Sequence, residues 1–431
     1  MTIPRFLLLY SIRFSGFLFA SVGTADIPFD PAATVTSSSE NVEFSRIPHG
    51  QIAADSQGRI HLVYSIMDAT ASSPIYHVMY RRMENGVFSP PIRVDRGEIG
   101  GGRHPSLALD AKDTLHVVWH DYRNCTAAGH GVDNIEIYYS RKAIDGDFLA
   151  SDIRLTQTQA DHKADNGYLP RIYAAPDGRL HVAWYDFNRD GIHAEIFLKS
   201  SDPLGVFDFQ PGIDSERIAG LEEGGEFASF WTPNLAPDGE GNLYVQWGFS
   251  QGYTGSYQIQ ARTVSANRSL GAIETLAGEG GTFYDPPRLA YDGQGNLGLA
   301  YEIPSDGMSR VVIQYRPKGG TWESPIVVNS GETDAVQPDM AFDSQGQVYV
   351  VWQENTGNHG TIVLALVDPA SRTVKFRQRI SGEEEDARTP TLALDSRDRV
   401  HFIWCDFRED GSGFIRYMRE TGTGIMNWKR Y

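Results

Sequence analysis

The chain has 431 residues, 41% hydrophobic and 22% charged, with a net charge of −17. This balance excludes a disordered chain and a membrane protein, and the acidity excludes a chain-wide basic surface for nucleic acid. Two cysteines exclude a disulfide framework.

Residues 1–25 come first in chain order. Arg5 and Arg13 flank and interrupt an apolar run that ends in the small residues Gly23-Thr24-Ala25. This reads as a signal peptide cleaved before Asp26, and it predicts a secreted or periplasmic protein. No other segment approaches the ~20 apolar residues of a membrane-spanning helix, so no membrane partner is expected.

From residue 50 onward one phrase recurs. A Pro or Gly opens a strand that ends in a turn rich in Asp and Gly, and a second strand ends in an aromatic residue. The pairs are Gly50 and Tyr64, Pro105 and Trp119, Pro170 and Trp184, Pro233 and Trp247, Pro287 and Tyr301, Pro338 and Trp352, and Pro390 and Trp404. Within every pair the spacing is 14 residues. Successive copies begin 55, 65, 63, 54, 51 and 52 residues apart. The flanking alternation has period two, as in Leu115-His116-Val117-Val118-Trp119, and Asp-Gly, Asp-Ser and Gly-Asn pairs supply the turns. Further strands follow, such as those beginning at Asn134 and Ala194. Seven units of four strands predict an all-β, seven-bladed β-propeller occupying 26–431 as a single domain, with antiparallel strands in each blade.

In such a fold, the residues just before each Pro and just after each aromatic meet on one rim, although they are far apart in sequence. Blades two and three carry the chemistry there: His104, His120, Tyr168, Tyr185, Arg103, Arg123, Arg171 and Arg189. They are also the longest repeats, which places the longest loops beside them. Four other histidines, His61, His116, His181 and His401, share one strand position and read as scaffold. His120 has the varied counterparts Tyr185, Gly248, Glu302, Gln353 and Cys405, which marks it as a working slot. Asp121, Asp186 and Asp406 read as loop caps. Trp231, with Phe249 and Tyr253, suits stacking on sugar rings.

His, Tyr and Arg together suit β-elimination of a 4-linked uronic acid. Arg neutralises the carboxylate, neutral His or ionised Tyr removes the C5 proton, and Tyr protonates the leaving oxygen. Arg is also the majority cation, 31 residues against 7 Lys, a bias that genome composition produces as readily. That chemistry requires no cofactor. A structural zinc or calcium remains open, with Cys125, His130 and His162 as the ligand candidates. Cys125 and Cys405 belong to non-neighbouring blades and are not expected to pair.

The repeat phrase resembles the BNR and sialidase-like propellers. Arg46-Ile47-Pro48 is similar to the motif that opens sialidases, and the segments starting at Ser200 and Tyr315 approach their Asp-box. The fuller likeness, in architecture and residue types, is to the secreted seven-bladed ulvan lyases, which cleave a sulfated rhamnose–uronate polymer. That resemblance implies a His base and a Tyr acid from neighbouring blades, with an Arg on the uronate. His104 or His120, Tyr168 or Tyr185, and Arg123, Arg171 or Arg189 are the candidates. The expected partner is an anionic polysaccharide bound by a monomer. The alternatives are a sialidase-like exo-glycosidase, drawing on rim acids such as Glu302, Glu354, Asp285 and Asp406, and a non-catalytic carbohydrate-binding propeller.

Overall fold

A computed structural model describes residues 27–37, 39–43, 52–68, 75–97, 101–125, 135–156, 167–187, 194–207, 216–220, 228–251, 257–278, 287–357, 359–408 and 413–422. The predicted leader at 1–25 and Arg46-Ile47-Pro48 lie outside them. The chain folds into seven antiparallel sheets, in the order the repeat predicts. Blade two is built from Gly102–Leu109, Leu115–Asp121, Glu136–Lys142 and Ile153–Arg154. Blade three is built from Gly167–Ala174, Leu180–Asp186, Glu195–Ser200 and Glu216–Ala219. Blades four, five and six repeat this pattern without crossovers.

The seventh blade is different. Its inner three strands are Asp386–Leu394, Val400–Phe407 and Gly413–Arg419. Its outer strand is Ala33–Thr34, with Ala33 opposite Tyr417 and Thr34 opposite Arg416. The ring is therefore closed by the segment that precedes the first repeat. Val35 N–H to the Ile415 carbonyl, at 2.8 Å, and Ile415 N–H to Thr36 Oγ1, at 3.0 Å, fasten the same junction.

The aromatic that ends each second strand explains why the blades stack. Tyr64, Trp119, Trp184, Trp247, Tyr301, Trp352 and Trp404 are all buried. Each packs into the layer between its own blade and the preceding one. Trp119 lies among Val63, Val78 and Tyr80, Trp184 among Val118, Ile137 and Tyr139, and Tyr64 against Ile403 and Ile415. The core is thus a set of inter-blade layers. Polar tips are mostly satisfied locally. Trp119 Nε1 donates to Asp121 at 2.9 Å, Trp352 Nε1 to Glu354 at 3.0 Å, and Tyr301 Oη to Gln314 at 3.0 Å.

The turn residue of the phrase has a uniform task. Asp55, Asp110, Asp238, Asp292, Asp343 and Asp395 each accept, on one carboxylate oxygen, the backbone N–H groups two and four residues on. Side-chain acceptors of this kind lock a turn. The histidines read as scaffold are held similarly. His61, His116 and His401 place Nδ1 on the hydroxyls of Tyr80, Tyr139 and Tyr417.

Closure by a separate segment yields a prediction. Removing residues 27–37 exposes the hydrogen-bonding edge of Gly413–Arg419 and uncovers the layer containing Val35 and Tyr417. A chain beginning at residue 38 is expected to lose cooperative unfolding in calorimetry and to associate through that edge in gel filtration. An unchanged melting curve would show that the ring closes without this strand.

Candidate functional site

The rim is shaped by a fault in the innermost strand. Proline has no N–H to give to the sheet, so the ladder breaks at the X-Pro step. Blades two, three, four, six and seven all shift register there: between Arg103 and Ser106, Tyr168 and Arg171, Trp231 and Asn234, Val336 and Asp339, and Arg388 and Thr391. The residue before each Pro adopts positive φ: His104 at 49°, Leu169 at 48°, Thr232 at 39°, Gln337 at 55° and Thr389 at 51°. For non-glycine residues this is a strained region, costing about 1–3 kcal/mol each, and the surroundings must hold it.

Part of that hold comes from the neighbouring blade. Gln337 N–H donates to Glu302 Oε1 at 2.7 Å, Thr389 N–H to Gln353 Oε1 at 3.1 Å, and Leu169 N–H to His120 Nδ1 at 3.3 Å. The slot after the aromatic thus carries an acceptor that bridges to the next bulge. Its varied residues, read from sequence as a sign of function, serve in three blades as one structural bond. For His120 the bond has a chemical consequence. Nδ1 accepts, so the proton of the neutral ring sits on Nε2. That Nε2 is buried and meets no hydrogen-bond partner.

The bulge also places His104 against His120. Arg103, not His104, is the cross-strand partner of His120, and the shifted backbone brings the two rings to 4.8 Å, edge to face. Both His104 nitrogens are buried and unpartnered. From this pair a chain of aromatic contacts runs across the rim. His120 meets Tyr122 at 5.5 Å and Tyr168 at 5.3 Å. Tyr168 stacks on Tyr185 at 5.5 Å, and both meet Phe187 at 5.8 Å. Trp231 continues the line, 5.6 Å from Tyr185 and 5.9 Å from Phe187. On the other flank Arg103 lies over Tyr76 at 4.3 Å and pairs with Glu43.

Burial sets the protonation states. It pushes the His104 imidazole down to about 3, with the Arg103 charge adding to the effect. It also holds His120 well below the usual histidine range, helped by His104 and Arg103. The phenols of Tyr168 and Tyr185 are raised by burial, Tyr168 also by Tyr122. At neutral pH the site therefore holds two uncharged imidazoles beside two protonated phenols.

The site brings together His104, His120, Tyr168, Tyr185, Arg103 and Trp231, and separates Arg123 and Arg171 from them. Arg123 is clamped between Asp121 and Asp152 at 2.6 and 2.8 Å and lies 4.1 Å over Tyr138. Burial opposes its charge, but the two carboxylates raise its pKa. Its guanidinium is committed to the fold. Arg171 lies past the bulge, paired with Ala183 and buried in the channel wall. Arg189 and Tyr253 lie outside the described residues, as do His130 and His162. Among the described residues, no group of three His, Cys, Asp or Glu is placed to hold a metal ion, and Cys125 and Cys405 form no disulfide. Tyr122, Phe187, Tyr76 and Glu43 join the site without having been chosen as site residues. Tyr122 and Phe187 were visible two residues after their slots; Glu43 precedes the first copy of the repeat phrase and Tyr76 lies between the first and second, so neither falls in its pattern.

No protein-family model matches the chain, and no curated protein matches it. Solved structures share its architecture. An ulvan lyase, solved bound to -[GlcA(1-4)Rha3S]-, matches with a TM-score of 0.56 at 9% identity, over 88% of this chain and 93% of its own. The polysaccharide lyase Uly1 matches with a TM-score of 0.54 at 12% identity, over 90% of this chain and 93% of its own. A Hadza microbial sialidase reaches 0.49 at 11% identity, over 88% of this chain and 66% of that one. At these identities the likeness is one of fold.

The depressed histidines predict a pH dependence of stability. His61, His104, His116, His120, His181 and His401 are all lowered, burial being the first cause in each. Their native states bind fewer protons than the unfolded chain below its pKa of about 6.5. Stability is therefore full above that value and falls as pH drops, for His104 until about 3. His104→Gln, which copies Gln337 in the same slot, removes one such group. Urea unfolding between pH 6 and 4 should show a slope smaller by up to about 1.4 kcal/mol per pH unit. Equal slopes would show that His104 does not titrate as a buried group.

Proposed function

We propose that the chain is an exported polysaccharide lyase acting on a uronate-containing, ulvan-like polymer by β-elimination. The observation that carries this reading is the buried pair of neutral imidazoles, with unpartnered nitrogens, set against the protonated phenol of Tyr168. A neutral imidazole is a base and a protonated phenol is an acid, and elimination needs one of each on the same sugar.

In this reading the sugar lies along the aromatic track from Tyr122 to Trp231. Its carboxylate meets the Arg103 guanidinium and the Nε2–H of His120, which together stabilise the negative charge that develops on deprotonation. His104 takes the C5 proton. The electron pair forms the C4–C5 double bond, the C4–O bond breaks, and the Tyr168 hydroxyl gives its proton to the departing oxygen. Proton transfer from His104 back to Tyr168 restores both groups. Burial leaves His104 a weak base in the free protein, and an arriving carboxylate shifts it upward.

The fold shared with two polysaccharide lyases supports the class, as does the resemblance of residue types to ulvan lyases. Hydrolysis is less well supported. Glu302 receives the Gln337 N–H, Glu354 the Trp352 indole, and Asp406 is paired with Arg416 at 2.9 Å. Those rim acids already serve the fold, and Asp285 lies outside the described residues.

The test is ultraviolet absorbance of the unsaturated uronate, using ulvan, other uronate polymers and a neutral glycan. Absorbance is expected to rise with the uronate polymers alone. New reducing ends without absorbance would point to hydrolysis, and sugar binding without either product to a binding propeller. His104→Gln, His120→Gln and Tyr168→Phe are each expected to lower kcat by about 10²–10⁴-fold. His120→Gln copies Gln353, so it keeps an acceptor for the Leu169 N–H while losing the imidazole. The acid limb of kcat/KM should fall well below pH 6.5, since the base must be neutral and His104 stays so down to about 3. A limb near 6.5 would transfer the base role to a group with an ordinary histidine pKa.

A further inference from the structure

The turns at the other end of the inner strands repeat one arrangement, and blade three departs from it. In blades one, two and seven a histidine follows the turn aspartate by six residues. Its Nδ1 meets a tyrosine hydroxyl, and its Nε2 stands 3.2, 3.4 and 3.3 Å from the carboxylates of Asp55, Asp110 and Asp395. In blades one and seven the same carboxylate also accepts the Nε–H of Arg59 and Arg399, at 2.6 and 2.7 Å. Each tyrosine packs edge-on against a phenylalanine of the next blade: Tyr80 on Phe148, Tyr139 on Phe207 and Tyr417 on Phe88.

Blade three keeps the arginine and the histidine, as Arg179 and His181, and changes the rest. Ala175 stands at the aspartate's position, donating its N–H to the Arg179 carbonyl at 2.8 Å just as Asp55 donates to Arg59. Leu198 stands at the tyrosine's, opposite Ala183, where Tyr80, Tyr139 and Tyr417 face Val63, Val118 and Ile403. His181 Nδ1 turns to the Ser200 hydroxyl at 2.8 Å, and its Nε2 has no hydrogen-bond partner among the described residues. Arg179 reaches the Ser201 carbonyl at 3.2 Å and the exposed Asp177 at 3.3 Å. An exposed pair of that kind holds weakly. A cavity of about 440 Å³ lies between blades three and four, lined by Ala175, Arg179, His181 and Leu198.

Blade four adds a cation to its lining. In blade three the Gly205 N–H closes a turn on the Asp202 carbonyl at φ 72°. In blade four Arg268 closes the same turn on Ser265, at φ 67°. A side chain is strained at such a φ, and strained residues gather at functional sites. Arg268 is exposed, lines the cavity and has no ion pair among the described residues. Tyr173, stacked on His181 at 6.2 Å, lines it too.

We propose that this cavity binds a small sugar acid, whose carboxylate sits between Arg179 and His181 as Asp55 and Asp395 sit in their own blades. With the Ser200 hydroxyl donating to Nδ1, His181 presents an Nε2–H to that carboxylate. Tyr173 and Leu198 give the ring an aromatic and an apolar wall, and Arg268 brings a second guanidinium from blade four. The volume falls in the range of small-molecule sites. The site lies at the opposite end of the strands from the elimination chemistry and does not depend on it.

Isothermal titration calorimetry of the full-length protein tests this, with sodium glucuronate as the probe and glucose and sodium acetate beside it. Glucuronate is expected to bind saturably, the other two at least about tenfold more weakly. Ala175→Asp supplies the carboxylate from within. It should lower glucuronate affinity at least about tenfold and melt no lower than the parent. Arg268→Gly, which copies Gly205, should weaken binding and raise Tm by relieving strain. No saturable binding of glucuronate, or equal affinity for glucose or acetate, would overturn the proposal. So would binding that survives Ala175→Asp but is lost in Trp231→Ala, which places the sugar on the rim. If Ala175→Asp fails to fold, Arg268→Gly decides, and an affinity equal to the parent's overturns the site.

Discussion

The rim of this propeller depends on one break in the innermost strands. A proline without an N–H forces a bulge, and the residue before it is driven to positive φ, where only its surroundings can keep it. In three blades that residue's N–H is caught by a side chain of the blade before it. The bond therefore joins neighbours where the hydrophobic layers between them end. In those blades it also holds the bulged residue in place on the rim. Without the bulge, His104 would follow the alternation of its strand, and the contact with His120 would not form.

His120 shows how scaffold and chemistry share one residue. In its slot, Glu302 and Gln353 accept the same kind of N–H through oxygen. A carboxylate or an amide thus meets the structural need. An imidazole meets it too, and it presents a second nitrogen 2 bonds away that the scaffold leaves free. The structural bond selects the tautomer, so the free nitrogen arrives already protonated. His104 has no comparable bond, which leaves it the more adaptable of the two rings. Under the proposed elimination, the difference separates a donor from a base within a pair that looks symmetric in sequence.

The periodic parts of the molecule were legible in the sequence. The Pro-to-aromatic spacing, the turn aspartates and the alternation around Trp119 identify hairpins and their number, because each repeat must bury the same face. The closing strand was not legible, since Ala33–Thr34 is two residues long and has no alternation. The candidate residues were legible by type but not by partner. Arg123 and Arg171 looked equivalent to Arg103 on paper, yet one is clamped by two aspartates and another lies in the channel wall. The choice between His104 and His120 dissolved for a geometric reason. The bulge places both in one contact, and register shifts leave no mark in residue spacing.

The same geometry bears on how a protein of net charge −17 could accept a polyanion. Among the described residues of this rim, long-range attraction does not supply the answer. Arg103 is paired with Glu43, and burial keeps both histidines neutral. Under the proposed function, recognition is then short-ranged, from stacking along Tyr122, Tyr168, Tyr185 and Trp231 and from hydrogen bonds to the imidazoles. Under the proposed elimination this arrangement couples binding to basicity. The free site suppresses protonation of His104, and a carboxylate entering it removes part of that suppression. The base then gains strength only when a uronate is present, so a neutral sugar on the same aromatic track would be held without being activated.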